Sequence, residues 1–264
     1  MINLSILIVD KQSVSAISKR KIKKGEGMFY KTKKLFMVGI VVSALIICGT
    51  LELSAAEKKH LIVIDPAHGG QDTGVKLTDK VSEKDITLAI ALALQKEIVK
   101  ENIFEVILTR DSDKTVSLDE RKKNIAKIKP DFFLSLHVNA GFGKSANGFE
   151  LYYPGFKYPA EGKKMAKGSA RKAKNKYLND SIRLAQIIQK NLDTLFPRKG
   201  RGLREADLPI IEDLFVPALV VEMGFASNSE DKKKLLSPNT QTEIAQALAK
   251  SCLLYTSPSP RDCS

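Results

Sequence analysis

Three short apolar runs in this chain each lead into a side chain that can carry chemistry. The runs occupy residues 61–64, 132–134 and 218–221, and the polar residues that follow them are His68, His137 and Glu222. Continuous runs of this length, rich in isoleucine, valine, leucine and phenylalanine, are typical of parallel strands buried on both faces. Because the carboxyl ends of parallel strands form one edge of a sheet, we expect these three side chains to meet there.

The apolar runs alternate with segments of helical periodicity. We predict strands at residues 60–65, 104–109, 131–137, 148–153 and 218–222, and helices at residues 83–100, 118–129, 181–196, 229–236 and 240–251. Ser82 followed by Asp85, and Ser117 followed by Glu120, are typical of helix N-termini. The order favours an α/β fold: a single domain whose mostly parallel, twisted sheet of about five or six strands carries helices on both faces.

The first part of the chain resembles a secretion signal. In residues 28–56, three lysines precede an apolar run at 35–49, and small residues at 54–56 offer a cleavage site. The apolar run is shorter than the roughly 20 residues of a membrane span, although a retained anchor is the alternative. Residues 1–27 precede this signal, so we interpret them as a misassigned upstream extension. The domain is therefore expected to be exported and to work in the periplasm or the extracellular cell wall.

The last part of the chain also differs from the domain. Residues 252–264 resemble translated sequencing-adaptor DNA and interrupt the pattern of the last helix, so we interpret them as an artefact tail; a natural Pro/Ser-rich tail is the alternative. The catalytic domain is then expected at residues 57–251. All three cysteines, Cys48, Cys252 and Cys263, fall outside it, so it needs neither a disulfide nor a thiol.

Positive charge is concentrated in one segment of the domain. The chain has a formal net charge of +13, and residues 154–179 form a basic insertion between a predicted strand and a predicted helix. Such a segment is typical of a solvated loop or an exposed helix. The alternative is attraction to an anionic cell-wall or membrane-surface polymer. Nucleic acid is not expected as a partner, because the chain is exported and the segment has few interleaved aromatic residues.

Two histidines at one edge of a sheet favour a zinc site. Zinc in a catalytic site takes three protein ligands and leaves a fourth position for water. His68 and His137 are the nitrogen candidates in a chain with three histidines in all. Glu83, in the first turn of a predicted helix, is the candidate carboxylate, since the helix dipole favours its ionised form. From the pattern alone, an ordinary N-terminal helix acid remains the alternative.

Glu222 is the candidate acid/base. The apolar residues around it raise the pKa of a carboxyl group towards the range of a general base. The alternative is a buried salt bridge to Arg201 or Arg204.

Three further residues are candidates for supporting roles. Asp65 is expected to orient a ligand imidazole, as metal-bound histidines usually require. Arg110 ends the second strand and can reach the same edge, although an ion pair with a neighbouring aspartate is the alternative. Asn139 can hydrogen-bond substrate amides, or it is simply a turn residue.

Six ordered stretches together resemble a known family. They are IDPAHGG at 64–70, SEKD at 82–85, TRDSD at 109–113, SLHVNA at 135–140, GFELYY at 148–153 and VEMGF at 221–225. The chain resembles, over about residues 61–236, the zinc-dependent N-acetylmuramoyl-L-alanine amidases of the amidase-3 type, which are bacterial cell-wall hydrolases.

The resemblance implies one zinc ion held by His68, Glu83 and His137, with Glu222 as the catalytic acid/base. It implies peptidoglycan as the substrate, an activator protein as a possible partner, and membrane contact only through an uncleaved signal. Some family members carry a long acidic insertion whose helix blocks the site; here residues 154–179 are short and basic, so self-inhibition is not expected. The alternatives are a zinc amidase or peptidase acting on another wall amide bond, and a non-catalytic wall-binding homologue.

Overall fold

The computed structural model describes residues 58–141, 143–155, 168–196 and 202–257. The predicted upstream extension and secretion signal lie outside these residues, as do part of the basic insertion and the end of the predicted tail. Their boundaries therefore stay predictions. From Lys58 onward the chain forms one compact unit. No helix within the described ranges is long and apolar enough to cross a membrane.

Six strands in the described residues form one sheet. They are β1 (His60–Pro66), β2 (Phe104–Leu108), β3 (Phe132–Asn139), β4 (Glu150–Pro154), β5 (Leu203–Ala206) and β6 (Ala218–Phe225). The order across the sheet is β2-β1-β3-β6-β4-β5. The first four strands in that order are parallel to one another, β4 is antiparallel to β6, and β5 is parallel to β4. The mostly parallel sheet predicted from the sequence is confirmed.

Five α-helices accompany the sheet in the described part of the chain. They are α1 (Glu83–Ile98), α2 (Leu118–Ile128), α3 (Gly168–Leu192), α4 (Ser229–Leu235) and α5 (Pro238–Thr256). Two bounds differ clearly from the prediction: α3 begins within the basic insertion rather than at residue 181, and α5 continues past residue 251. The short strand β5 was not predicted, because its sequence LREA contains no apolar run.

The helices pack on both faces of the sheet, as predicted. On one face α1, α3 and α5 contribute Leu94, Ile188 and Leu248 to a core of fully buried side chains. On the other face a smaller cluster joins Ile125 of α2 to Phe133 of β3 and to residues of the 208–216 segment. Because the central strands are covered on both faces, their polar side chains gather where the strands end.

The end of α5 contributes to the larger core. Cys252 is fully buried, and the ring of Tyr255 packs edge-to-face on Phe132 with ring centroids 5.3 Å apart. We expect a chain cut after Ser251 to lose about 2–4 kcal/mol of unfolding free energy, since apolar burial and aromatic packing are lost together. Urea unfolding measures the loss. The control is a cut after Ser257, which should leave the midpoint unchanged; equal stability of the two truncated chains would contradict the prediction.

Candidate metal centre

The loop after β1 holds His68 in a constrained backbone conformation. His68 has a φ of 63°, in the left-handed region that residues with a side chain rarely adopt. Arg110 donates from Nε and Nη2 to the carbonyls of Pro66 and Ala67, at 2.9 Å each. Arg121 donates to the carbonyl of His68. Because both guanidinium groups are buried and bind three consecutive carbonyls, the loop presents the His68 ring in one direction.

Strands β3 and β6 present a histidine and an acid side by side. His137 and Glu222 are direct partners in the parallel pairing of these strands. Paired residues project from the same face of a sheet, so the two side chains are neighbours. The register shifts between His137 and Asn139, which marks an irregularity near the end of β3, and Asn139 then pairs with Phe225.

Glu83 connects the two histidines. Its Oε1 atom lies 3.1 Å from His68 Nε2 and 3.1 Å from His137 Nδ1. The same oxygen accepts a 3.0 Å hydrogen bond from the backbone N–H of Val138, and Oε2 accepts one of 3.0 Å from Val75. One ligand atom from each of the three side chains lies within 4.8 Å of the others. The structure therefore brings together the three residues that the sequence analysis named as metal ligands.

The first turn of α1 places Glu83 at this point. The residue before it, Ser82, donates from its backbone N–H and its hydroxyl to the carboxylate of Asp85, at 2.8 and 2.9 Å. This contact fixes where the helix begins. Glu83 itself is 2% exposed. Burial alone would raise its pKa, but the hydrogen bonds from His137 and His68 hold the pKa of the carboxyl well below its usual range.

The donor set fits a zinc ion. Two imidazole nitrogens and one ionised carboxylate oxygen are the three protein ligands of many catalytic zinc sites. The hydrogen bond to Glu83 raises the pKa of His68 to about 9, against the opposing effect of burial. A dication bound between these three residues would compensate the charge of the shared carboxylate.

Asp72 orients His68, a role that the sequence analysis assigned to another residue. Its Oδ2 lies 2.8 Å from His68 Nδ1, and its Oδ1 accepts a 3.1 Å hydrogen bond from the backbone N–H of Gly74. With Nδ1 engaged in this way, Nε2 is the nitrogen that faces Glu83. The available sequence signal was the position of Asp72, four residues after His68 in a glycine-rich loop. The sequence does not show the loop conformation that brings the two side chains into contact.

The predicted role of Asp65 is wrong. Asp65 accepts hydrogen bonds from Thr109, from Ser135 at 2.7 Å and from Arg121, with which it also forms a buried ion pair. These contacts use both carboxylate oxygens, and neither histidine is among the partners. Asp65 acts on the site indirectly, because it fixes the guanidinium that holds the carbonyl of His68.

Arg110 does not act as a substrate-binding side chain. It is 1% exposed, and besides the loop carbonyls it donates to the carbonyl of Lys84 at 2.8 Å. The ion pair considered as an alternative is also absent from the described contacts, since Asp111 pairs with Lys114 and Asp113 with Lys84. Arg110 therefore holds the β1 loop against the start of α1.

Glu222 lies beside the triad with one carboxylate oxygen unsatisfied. Its Oε2 is buried and has no hydrogen-bond partner among the described residues. The pKa of Glu222 is raised to about 7: burial and the carboxylates of Glu83 and Glu150 raise it, and the two nearby histidines oppose this shift. The salt bridge to Arg204 considered as an alternative is not formed, because Arg204 pairs with Glu150 at 3.5 Å; Arg201 lies outside the described residues.

Asn139 is close to the site but its amide is already engaged. Its Nδ2 donates to Glu150 Oε2 at 2.8 Å, and the hydroxyl of Tyr152 donates to the same oxygen at 2.7 Å. Glu150 is thus a buried acid of the site that the sequence analysis did not single out.

An open cleft of about 290 Å³ gives access to these groups. Its lining includes His68, His137 and Glu222 together with six apolar residues: Val116, Leu118, Leu208, Pro209, Ile210 and Val220. A larger cleft of about 740 Å³ lies at the opposite edge of the sheet, where Asp131 and Pro217 precede their strands. We assign the chemistry to the smaller cleft because the potential metal ligands line it.

The α/β sheet carries two imidazoles and a carboxylate at its carboxyl edge, and a second acid lies beside them. This arrangement is typical of a metal-binding hydrolase. The family model of the N-acetylmuramoyl-L-alanine amidases of the amidase-3 type matches residues 62–253, so the chain belongs to this family. The resemblance found in the six sequence stretches is confirmed.

Individual relatives agree with this assignment. An uncharacterized cell wall amidase of Bacillus anthracis is 34% identical over 200 residues, which are 74% of this chain and 35% of the relative. The N-acetylmuramoyl-L-alanine amidase CwlM of Bacillus licheniformis is 34% identical over 71% of this chain and 65% of its own length. The chain thus spans about a third and just under two thirds of these two relatives.

Solved structures share the fold. The CwlD amidase of Clostridioides difficile, in a complex with the GerS lipoprotein, is 27% identical with a TM-score of 0.63, covering 75% of this chain and 98% of that chain.

Removal of the Asp72 carboxylate tests its contact with His68. We expect Asp72→Ala to weaken zinc binding about 10–100-fold, because His68 loses the partner that fixes its ring. Competition with a chromogenic chelator measures the affinity. Asp79→Ala removes an exposed acid from the same loop and serves as the control; equal zinc affinity of the two variants would exclude an orienting role for Asp72.

Gly74 packs against two of the metal ligands. A Cβ atom at this position would lie 2.5 Å from Glu83 Oε2 and 2.6 Å from His68 Cδ2, and the φ of 61° is itself unfavourable for a side chain. We expect Gly74→Ala to lower zinc affinity more than Asp72→Ala does, since both ligands must shift. The control is Gly143→Ala, where φ is also positive but a Cβ atom meets nothing within 4 Å. A Gly74→Ala protein with normal zinc affinity would show that the loop can adjust freely.

Proposed function

We propose that this chain hydrolyses the amide bond between the lactyl group of N-acetylmuramic acid and L-alanine in peptidoglycan, using one zinc ion held by His68, Glu83 and His137. The observation that carries the proposal is the position of Glu222: a half-buried acid whose Oε2 atom is buried and unsatisfied, paired in register with one candidate ligand. Zinc in such a site activates a water molecule and polarises the scissile carbonyl.

Glu222 is the group of this chain that moves the proton. As a carboxylate it accepts a proton from the attacking water, and as a carboxylic acid it returns that proton to the leaving amine of L-alanine. A carboxyl group whose pKa lies near neutrality can do both. A bound dication would oppose the upward shift of the pKa, because it stabilises the ionised form.

The other residues position these groups and exclude water. Asp72 and the two arginines hold His68, the backbone N–H groups of Val75 and Val138 hold Glu83, and the apolar wall of the cleft lowers the local dielectric constant. We also propose that the chain is exported and works in the periplasm or the cell wall, where it acts in wall remodelling, cell separation or autolysis. An activator protein is a possible partner.

Replacing Glu222 separates catalysis from metal binding. We expect Glu222→Gln to lower kcat about 10²–10⁴-fold, since the proton acceptor is lost, while zinc content stays at one ion per chain. Cleavage is measured on purified muropeptides, and zinc by atomic emission. Glu105→Gln, an exposed acid on the edge strand β2, is the matched control.

The reaction products show which bond of peptidoglycan is cleaved. Mass spectrometry should find free lactyl-bearing glycan and intact stem peptides, and a chelator should stop their release until zinc is restored. Cleavage within the stem peptide would favour the alternative zinc peptidase. An active Glu222→Gln protein would exclude Glu222 as the proton carrier.

A further inference from the structure

A row of polar side chains continues from Glu222 towards the far edge of the sheet. Glu150 on β4 is the direct partner of Glu222, and Arg204 on β5 is the direct partner of Tyr152. Side chains two positions apart on a strand project from the same face, so all four of these groups share one face of the sheet. The row crosses β6, β4 and β5 in that order.

The inner part of this row is fixed by hydrogen bonds. Glu150 is 4% exposed, and its Oε2 accepts from Asn139 and Tyr152. Its Oε1 lies 3.5 Å from Nη2 of Arg204. The Arg204 side chain is 45% exposed, and a guanidinium group carries five N–H donors in a planar fork. Arg204 is thus anchored at one edge, while other donors remain accessible to a ligand.

The electrostatics of the cleft give this cation a role. The carboxylates of Glu83, Glu150 and Glu222 carry up to three negative charges against the two positive charges of the proposed zinc ion, so a negatively charged ligand gains from a further cation. Arg110 and Arg121 are buried and bind the β1 loop, so they do not supply that charge. Among the described residues of the row, Arg204 is the cation that a ligand can reach.

We propose that Arg204 binds the α-carboxylate of the residue that follows L-alanine in the stem peptide; this rests on the function proposed above. That residue is D-glutamate, whose side-chain carboxyl carries the rest of the peptide, so its α-carboxylate is either free or amidated. Strands lie about 4.8 Å apart, which puts β5 about 10 Å from β6. The Arg204 side chain extends from β5 towards β4, where it contacts Glu150, and so covers part of this distance. A peptide advances about 3.5 Å per residue, so the second residue beyond the scissile bond comes within reach.

The proposed contact makes Arg204 a specificity-determining residue. A guanidinium group binds a carboxylate through two parallel charge-assisted hydrogen bonds, whereas an amide offers one neutral acceptor. The site should therefore favour stem peptides with a free D-glutamate carboxylate over amidated ones. Glu150 is a positioning residue in this arrangement, since it holds one edge of the guanidinium.

The test compares two peptides that differ at one group. L-Ala-γ-D-Glu-L-Lys and its D-isoglutamine counterpart are titrated into the zinc-loaded full chain by calorimetry, and the corresponding muramyl tripeptides are used for kcat and KM. We expect the wild type to favour the acid about tenfold in Kd and KM, as one charge-assisted contact allows. Arg204→Gln should lose this preference by weakening only the acid, and Arg204→Lys should retain part of it because the charge remains.

The control for overall charge is Lys190→Gln, which removes an exposed cation from the last turn of α3 and should keep the preference. Equal wild-type affinity for the two peptides, or an equal loss for both in Arg204→Gln, overturns the proposal. If the peptides bind with the acid preference but no muramyl tripeptide is cleaved, the Arg204 subsite is supported and the proposed hydrolysis is contradicted.

Discussion

The buried carboxylate of Glu83 is the group on which the site depends. It joins the first turn of α1 to His68 in the β1 loop and to His137 at the end of β3. A buried charge of this kind is costly unless all its lone pairs are used, and here two backbone N–H groups and two imidazoles use them. The backbone N–H groups of Val75 and Val138 hold this carboxylate between the two imidazoles, so the fold itself keeps the three potential ligands together.

The two acids of the site have opposite environments. Glu83 is surrounded by donors that favour its ionised form, and its pKa is lowered. Glu222 is half-buried, its Oε2 atom is buried and unsatisfied, other carboxylates lie nearby, and its pKa is raised to about 7. This separation supports the proposed roles, Glu83 as a metal ligand and Glu222 as the proton carrier, since a ligand must stay ionised and a proton carrier must change state.

The apolar pattern of the sequence identified the residues that lie at or near the carboxyl ends of the buried strands. His137 and Glu222 lie in the last part of two buried parallel strands and His68 lies two residues after a third, so the apolar pattern was enough to predict that they share one edge. Glu83 was harder to identify as a ligand, because an acid in the first turn of a helix is common for reasons unrelated to metals. Only the family resemblance selected it as the third ligand. Asp72 was missed and Asp65 misassigned, since the left-handed conformation of His68 turns the loop in a way that spacing does not reveal.

The reversal of β4 and β5 explains why Glu150 and Arg204 were harder still to find. In the parallel strands the residues at the carboxyl edge of the sheet come last, directly after an apolar run that can be recognised in the sequence. In a strand of opposite direction they come first: Glu150 begins β4, and Arg204 is the second residue of β5. A search for polar residues after apolar runs therefore passes over them. The antiparallel pairing of β4 with β6 nevertheless sets Glu150 directly beside Glu222. Glu222 thus acquires a like-charged neighbour that favours its protonated form, and that neighbour pairs with the accessible guanidinium of Arg204 on β5.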